Sequence, residues 1–226
     1  MIRTVDTDVV VIAISVIHIL DISSLWIAFG VGKNLRYIPV HKIAVQLGPY
    51  KSRALLFFHE FTGYDKVSSF CNHGKKIARE TWSTYNEATN EFNLLSDEPR
   101  EDCVKESVEN IERFVFLLDD RSSECLPVDA ARIYLFTRKR QSIDNTPPSS
   151  SALQQHIKRA AYQAGYCWGQ ALDKLQELPS PGSWGWKRSK DGPWEPVGTA
   201  LQLINVNCKS ENGCRGRCKC VKDCFV

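Results

Sequence analysis

The run from Val9 to Leu20 sets the strongest limit on how this chain can fold. It is twelve residues long, contains no ionisable side chain apart from His18, and is closed by Asp21. A bilayer span needs about 20 apolar residues, so the run is too short to cross a membrane. Asp6 and Asp8 stand where a signal peptide carries positive charge, and no small-residue cleavage site follows. The run therefore belongs inside a folded, intracellular domain. Its Val and Ile content favours a strand, whereas its length favours a helix. The remaining composition agrees with a packed core: 43% of the 226 residues are apolar and 24% charged. A net charge of +3 implies nucleic acid or an acidic partner only where the basic residues gather locally.

Elements alternate through the first part of the chain. Met1 to Val5 reads as the end of a strand, and Leu25 to Phe29 as a short strand before Gly30 and Gly32. Pro39 opens a segment with Val40, Ile43, Ala44 and Leu47 at helical spacing, closed by Gly48-Pro49. Leu55 to Phe61 predicts another apolar helix, ending at Thr62-Gly63, and Lys75 to Tyr85 a further one. This is the pattern of an α/β unit. Beyond Asp97 the strand signals fade. Val104, Val108, Ile111 and Val115 form one helical stripe; Val128 to Arg138 gives a second helix, and Ser151 caps a third reaching about Gln176. Between Ser180 and Pro196 there are too few periodic positions to predict regular structure, although Trp184, Trp186 and Trp194 lie there.

Two constellations could carry phosphate chemistry. Asp6-Thr7-Asp8 places two carboxylates at i and i+2 near a strand end, a spacing that lets both face one side and share divalent ions. The alternative is that Asp8 caps the following helix while Asp6 is a solvated turn residue. Downstream, Gly63-Tyr64-Asp65 ends the apolar helix, and Gly74-Lys75-Lys76 begins a basic one. Backbone N–H groups at such a start can hold a phosphate, with the lysines adding charge. Equally, Gly63 can serve only to end one helix and Gly74 to start the next.

Taken together, these motifs resemble the PIN-like, flap-endonuclease (XPG)-like nuclease fold, in the divergent form found in transposon-derived proteins of animals. The resemblance covers roughly residues 1 to 90. It implies a helix after Asp8 and Mg²⁺ held by Asp6, Asp8 and Asp65. It further implies a phosphate backbone gripped at Gly74, Lys75 and Lys76, and hydrolysis of phosphodiesters in structured DNA. In that family further carboxylates precede the first motif. This sequence starts five residues before Asp6 and so reads as N-terminally truncated and incomplete as an enzyme. Asn72 and His73 also stand where a second turn glycine is expected.

The end of the chain is different in kind. Cys208, Cys214, Cys218, Cys220 and Cys224 crowd its last residues, interleaved with Lys209, Arg215, Arg217, Lys219 and Lys222. The spacing suits a Zn²⁺ knuckle that folds a segment lacking its own core; the alternative is a flexible reduced tail. Arg138-Lys139-Arg140 reads as a solvated helix end, and His59-Glu60 lacks the second His of a zinc-protease motif. The tryptophans could stack bases, although packing is their commoner use.

The expected organisation is α/β. A partial PIN-like domain spans 1–96, an α-helical region 97–178, a Trp/Pro-rich irregular segment 179–207 and a Cys-rich, metal-knuckle-like tail 208–226. The expected function is that of a nuclease-related protein using Mg²⁺ on nucleic acid. Its alternatives are a non-catalytic nucleic-acid or protein-binding module with a Zn²⁺ tail, and a gene fragment without independent function. Neither a membrane nor a small-molecule cofactor is expected as a partner. The basic clusters favour the nucleus over the cytoplasm.

Overall fold

A computed structural model describes residues 1–20, 22–63, 70, 73–97, 99–119, 128–132, 147–172, 177–189 and 192–198. Asp65 and the five C-terminal cysteines lie outside the described residues. The fold is mixed α/β and mostly helical.

Strand β1 (Ile2–Thr4) pairs in parallel with β2 (Trp26–Phe29), Ile2 opposite Ile27 and Thr4 opposite Phe29. Parallel neighbours cannot be joined by a tight turn. The apolar run supplies the crossover as helix α1 (Thr7–Val16). Length thus prevails over β-branched content, and α1 buries Val11, Ala13, Ile14 and Val16. Strand β3 (Arg36–Pro39) returns antiparallel to β2, giving the order β1-β2-β3. It was not anticipated, because Pro39 was read as a helix start; Pro39 is in fact the last strand residue and the N-cap of the next helix.

That helix, α2 (Val40–Phe61), holds the fold together and packs chiefly against α1 and against the helix at Ala88–Ser96. The two helices expected on either side of Gly48-Pro49 join here across a kink at Gly48, whose φ of 75° is left-handed. Pro49, with no N–H to place, opens the second half. The first half sends Val40 and Ala44 into a small core with Ile14, Ile17 and Ile27. The second half sends Leu56, Phe57, Phe58 and Phe61 into a larger one.

Helices α3 (Lys75–Thr84), α4 (Ala88–Ser96) and α5 (Glu101–Asp119) surround that larger core. It is strongly aromatic. Phe57 stacks on Phe61 at 5.2 Å between centroids, Phe58 on Trp82 at 4.5 Å, and Phe92 meets Phe114 edge-on at 5.2 Å. The same core takes in Leu153, Ile157, Trp168 and Trp184, so it continues without a break across residues 96 and 178. Glu112 ties three segments: it accepts from Val128 N–H at 3.3 Å and from Ser150 Oγ at 2.5 Å.

Helix α6 (Ser150–Ala161) is capped by Ser149, which accepts from Ala152 N–H, rather than by Ser151. It continues as a π-helical segment, Tyr162–Trp168. The expected helix from Val128 is helical over 128–132, and its remainder lies outside the described residues. The segment expected to be irregular forms a short 3₁₀ helix, Pro181–Trp184, and a hairpin of β4 (Trp186–Arg188) with β5 (Trp194–Pro196). Strands of three residues are too short to show a period of two in the sequence. Among the described residues no helix is long and apolar enough to cross a membrane.

Candidate functional site

The carboxyl end of β1 is where an open α/β sheet leaves room for a ligand, and both aspartates of the first motif lie there. Their roles are the reverse of the simple capping expectation. Asp6 is the N-cap of α1, its Oδ1 accepting from Asp8 N–H at 2.9 Å, and its side chain is exposed. Asp8 points inward and is only 6% exposed. A buried carboxylate needs a partner, and His59 of α2 provides it, with Nε2 at 3.2 Å from Asp8 Oδ1.

His59 in turn touches the start of α3. Lys75 Nζ lies 2.8 Å from His59 Nδ1 and 2.8 Å from the His59 carbonyl oxygen. An ammonium only donates and a carboxylate only accepts. The imidazole must therefore be neutral, with its proton on Nε2 donated to Asp8 and its Nδ1 accepting from Lys75. Burial lowers the His59 pKa, and the Lys75 charge lowers it further; the bond and charge of Asp8 and the charge of Asp6 oppose this without reversing it. The Trp168 ring lies tilted against that of His59, with 6.0 Å between the centroids.

The structure thus gathers Asp6, Asp8 and Lys75 at one corner, with His59 as the unanticipated link. The sequence did hold a signal for it. His59-Glu60 interrupts an otherwise apolar stretch from Ala54 to Phe61, and both residues are buried. Polar residues placed inside such a face serve a partner within the protein.

Gly74 caps α3 at φ −71°, and a Cβ added there would meet nothing within 4 Å. Neither backbone conformation nor packing requires glycine at this position. Gly63 is different: its φ of 110° directly follows the end of α2, so it does serve as a helix terminator. Lys76 is exposed beside Gly74. Among the described residues no group of three or more His, Cys, Asp or Glu side chains is placed to hold a metal. Asp6 is exposed whereas Asp8 is turned inward to His59; Mg²⁺ needs only one or two protein carboxylates, with water and substrate phosphate in its other positions.

The tryptophans divide. Trp184 is buried in the core, Trp186 is partly covered and Trp194 is exposed. No family model, curated protein or solved structure matches this chain.

Proposed function

We propose that the chain is a nuclease-related, nucleic-acid-binding protein of the PIN-like, transposon-derived kind, with its phosphate site at the corner between β1 and α3. The observation that carries this reading is the link from Asp8 through His59 to Lys75. It joins the acidic motif to the basic helix start across residues far apart in sequence. Asp6 and Asp8, with Asp65, would hold Mg²⁺, which when bound draws a phosphate oxygen to the corner and makes its water a better nucleophile. The open backbone at Gly74 lets a phosphate approach the N–H groups of α3, and Lys76 adds a positive charge. Lys75 has an inward role instead: its ammonium holds the His59 tautomer that supports Asp8.

The test is cleavage of flapped DNA in Mg²⁺ or Mn²⁺ by the full chain and by Asp8→Asn, which keeps an acceptor for His59 but removes the charge. Metal-dependent cleavage lost in the variant supports the reading. Metal-independent cleavage, or cleavage indifferent to the change, defeats it.

One observation favours a second reading, binding without catalysis. The described donors number two, and Asp8 already accepts from His59. On this reading nucleic acid binds with an affinity that falls linearly in log salt and no cleavage occurs. Zn²⁺ retained by the cysteine tail, and loss of binding on deleting the chain after Asn207, would then locate the binding surface in that tail.

A further inference from the structure

A concavity open to solvent is lined by residues of α2, α6, the π-helical segment and the β4–β5 hairpin. Its volume is about 460 Å³, and Glu60, Arg159, Tyr162, Gln163, Trp186 and Trp194 line it. That is within the range of small-molecule sites, roughly 300–1,000 Å³. Two tryptophans and a tyrosine around one cavity provide flat apolar walls; the Gln163 amide and the Arg159 guanidinium provide polar ones.

The walls are held by bonds that involve no ligand. Tyr162 donates its hydroxyl to the Pro179 carbonyl at 3.1 Å. Arg159 lies over the Trp186 ring at 5.9 Å and donates to the Gly185 carbonyl at 3.3 Å. Gly185 has φ 81°, and a Cβ there would come within 2.8 Å of the Gln155 carbonyl oxygen, so the hairpin is seated tightly on α6. The register pairs Trp186 with Pro196, Lys187 with Glu195 and Arg188 with Trp194. Opposed residues in an antiparallel pair share a face. Trp186 and Trp194 face the cavity, so Arg188 stands on that face beside Trp194, and Lys187 and Glu195 on the other.

These walls select a class of occupant. An organic cation is poorly matched, because the Arg159 guanidinium already covers the face of Trp186. A flat, neutral heterocycle with donors and acceptors on its edge matches better: its face meets Trp194, while the half-buried Gln163 can donate and accept. Arg188 then stands where a phosphate attached to that ring could be neutralised. We propose that this cavity takes an unpaired nucleobase of a nucleic-acid strand, stacked on Trp194, with the adjoining phosphate at Arg188. The inference rests on the nucleic-acid reading above for the polymer to which the base belongs, and it assigns that reading a site apart from the Asp8–His59–Lys75 corner.

The test is fluorescence anisotropy of the full chain with a labelled, unstructured DNA oligomer, using an abasic oligomer of equal length and free mononucleotides as competitors. Stacking on one aromatic ring is worth about 5- to 150-fold in affinity. Trp194→Ala, at an exposed position, should lose that factor for the oligomer and leave the abasic oligomer unaffected, and Trp194→Phe should restore most of it. Oligomer binding that ignores Trp194→Ala overturns the cavity assignment while leaving the nucleic-acid reading in place. Mononucleotides that bind through Trp194 while no oligomer binds support the base pocket and overturn the polymer. Trp194-dependent binding of a proline-rich peptide with no binding of any nucleotide overturns the proposal, as does the absence of all binding.

Discussion

Asp8 and His59 meet in the interior at 3.2 Å, and the orientation of each depends on the other. Asp8→Ala removes the acceptor and leaves the Nε2–H of a buried imidazole without it. A buried polar group deprived of its partner costs about 1–3 kcal/mol. Asp8→Asn retains an oxygen at the same place and should cost less than Asp8→Ala. Urea denaturation of both variants measures the difference. Equal midpoints for Asp8→Ala and the unmodified chain would show that the pair contributes nothing to the fold.

Asp6 has a separable role. As N-cap it holds Asp8 N–H at 2.9 Å, and loss of such a cap costs about 1 kcal/mol. Asp6→Ala should lower stability by that amount, whereas Asp6→Asn should leave stability nearly unchanged because Asn caps equally well. If Asp6 also holds Mg²⁺, titration calorimetry will show that Asp6→Asn weakens Mg²⁺ binding despite its intact fold. Undiminished Mg²⁺ binding by Asp6→Asn confines this residue to capping.

Much of this arrangement could be read from the residues in order. The apolar stretches of α2 and α5 show where those helices lie, because those signals are local and strong; the run of α1 was ambiguous between strand and helix by pattern, and Gly48-Pro49 read as a helix end where the structure has a kink. The pairing of β3, the helix α4 and the hairpin were not legible. Each is short, and their stability comes from neighbours distant in sequence: the Phe92 and Leu95 side chains of α4 count only once α2 and α5 are beside them. The same holds for the site. Asp6, Asp8 and Lys75 carry visible chemistry, but the imidazole that joins them becomes functional only when the second half of α2 brings His59 between the two. The sign of that event in the sequence, two polar residues within an apolar helix, was present but did not name a partner.

Gly165 sits where the π-helical segment crosses the chain at Pro99. A Cβ built there would lie 2.2 Å from Pro99 Cδ and 2.7 Å from Cγ. Both atoms belong to a rigid ring, and the Tyr166 hydroxyl holds the Pro99 carbonyl from the next position at 2.5 Å. Relief therefore requires the segment itself to move. Overpacking of this kind costs about 1–3 kcal/mol, and thermal or urea unfolding of Gly165→Ala should show a loss in that range. Full stability in Gly165→Ala would mean that Pro99 yields without cost.

His156 makes stability depend on pH. Its ring is buried, donates from Nε2 to the Phe61 carbonyl at 2.8 Å and lies 5.0 Å from the Phe61 ring. Burial is the main cause that brings its pKa from 6.5 down to about 4; the Arg159 charge acts in the same direction, and the bond to Phe61 opposes both. As pH falls, the unfolded chain takes up this proton first, so the native state loses ground. The contribution is complete above about pH 6.5, declines below it and is gone below about pH 4. At about 1.4 kcal/mol per pH unit of difference, it amounts to about 3 kcal/mol. His59, whose pKa is also lowered, acts with the same sign. His156→Gln keeps a donor for Phe61 but cannot titrate. Urea midpoints at pH 7 and pH 4.5 should therefore fall further for the unmodified chain than for His156→Gln, while the carboxylates that titrate near pH 4 affect both alike. Equal falls in the two proteins would remove His156 from the acid response.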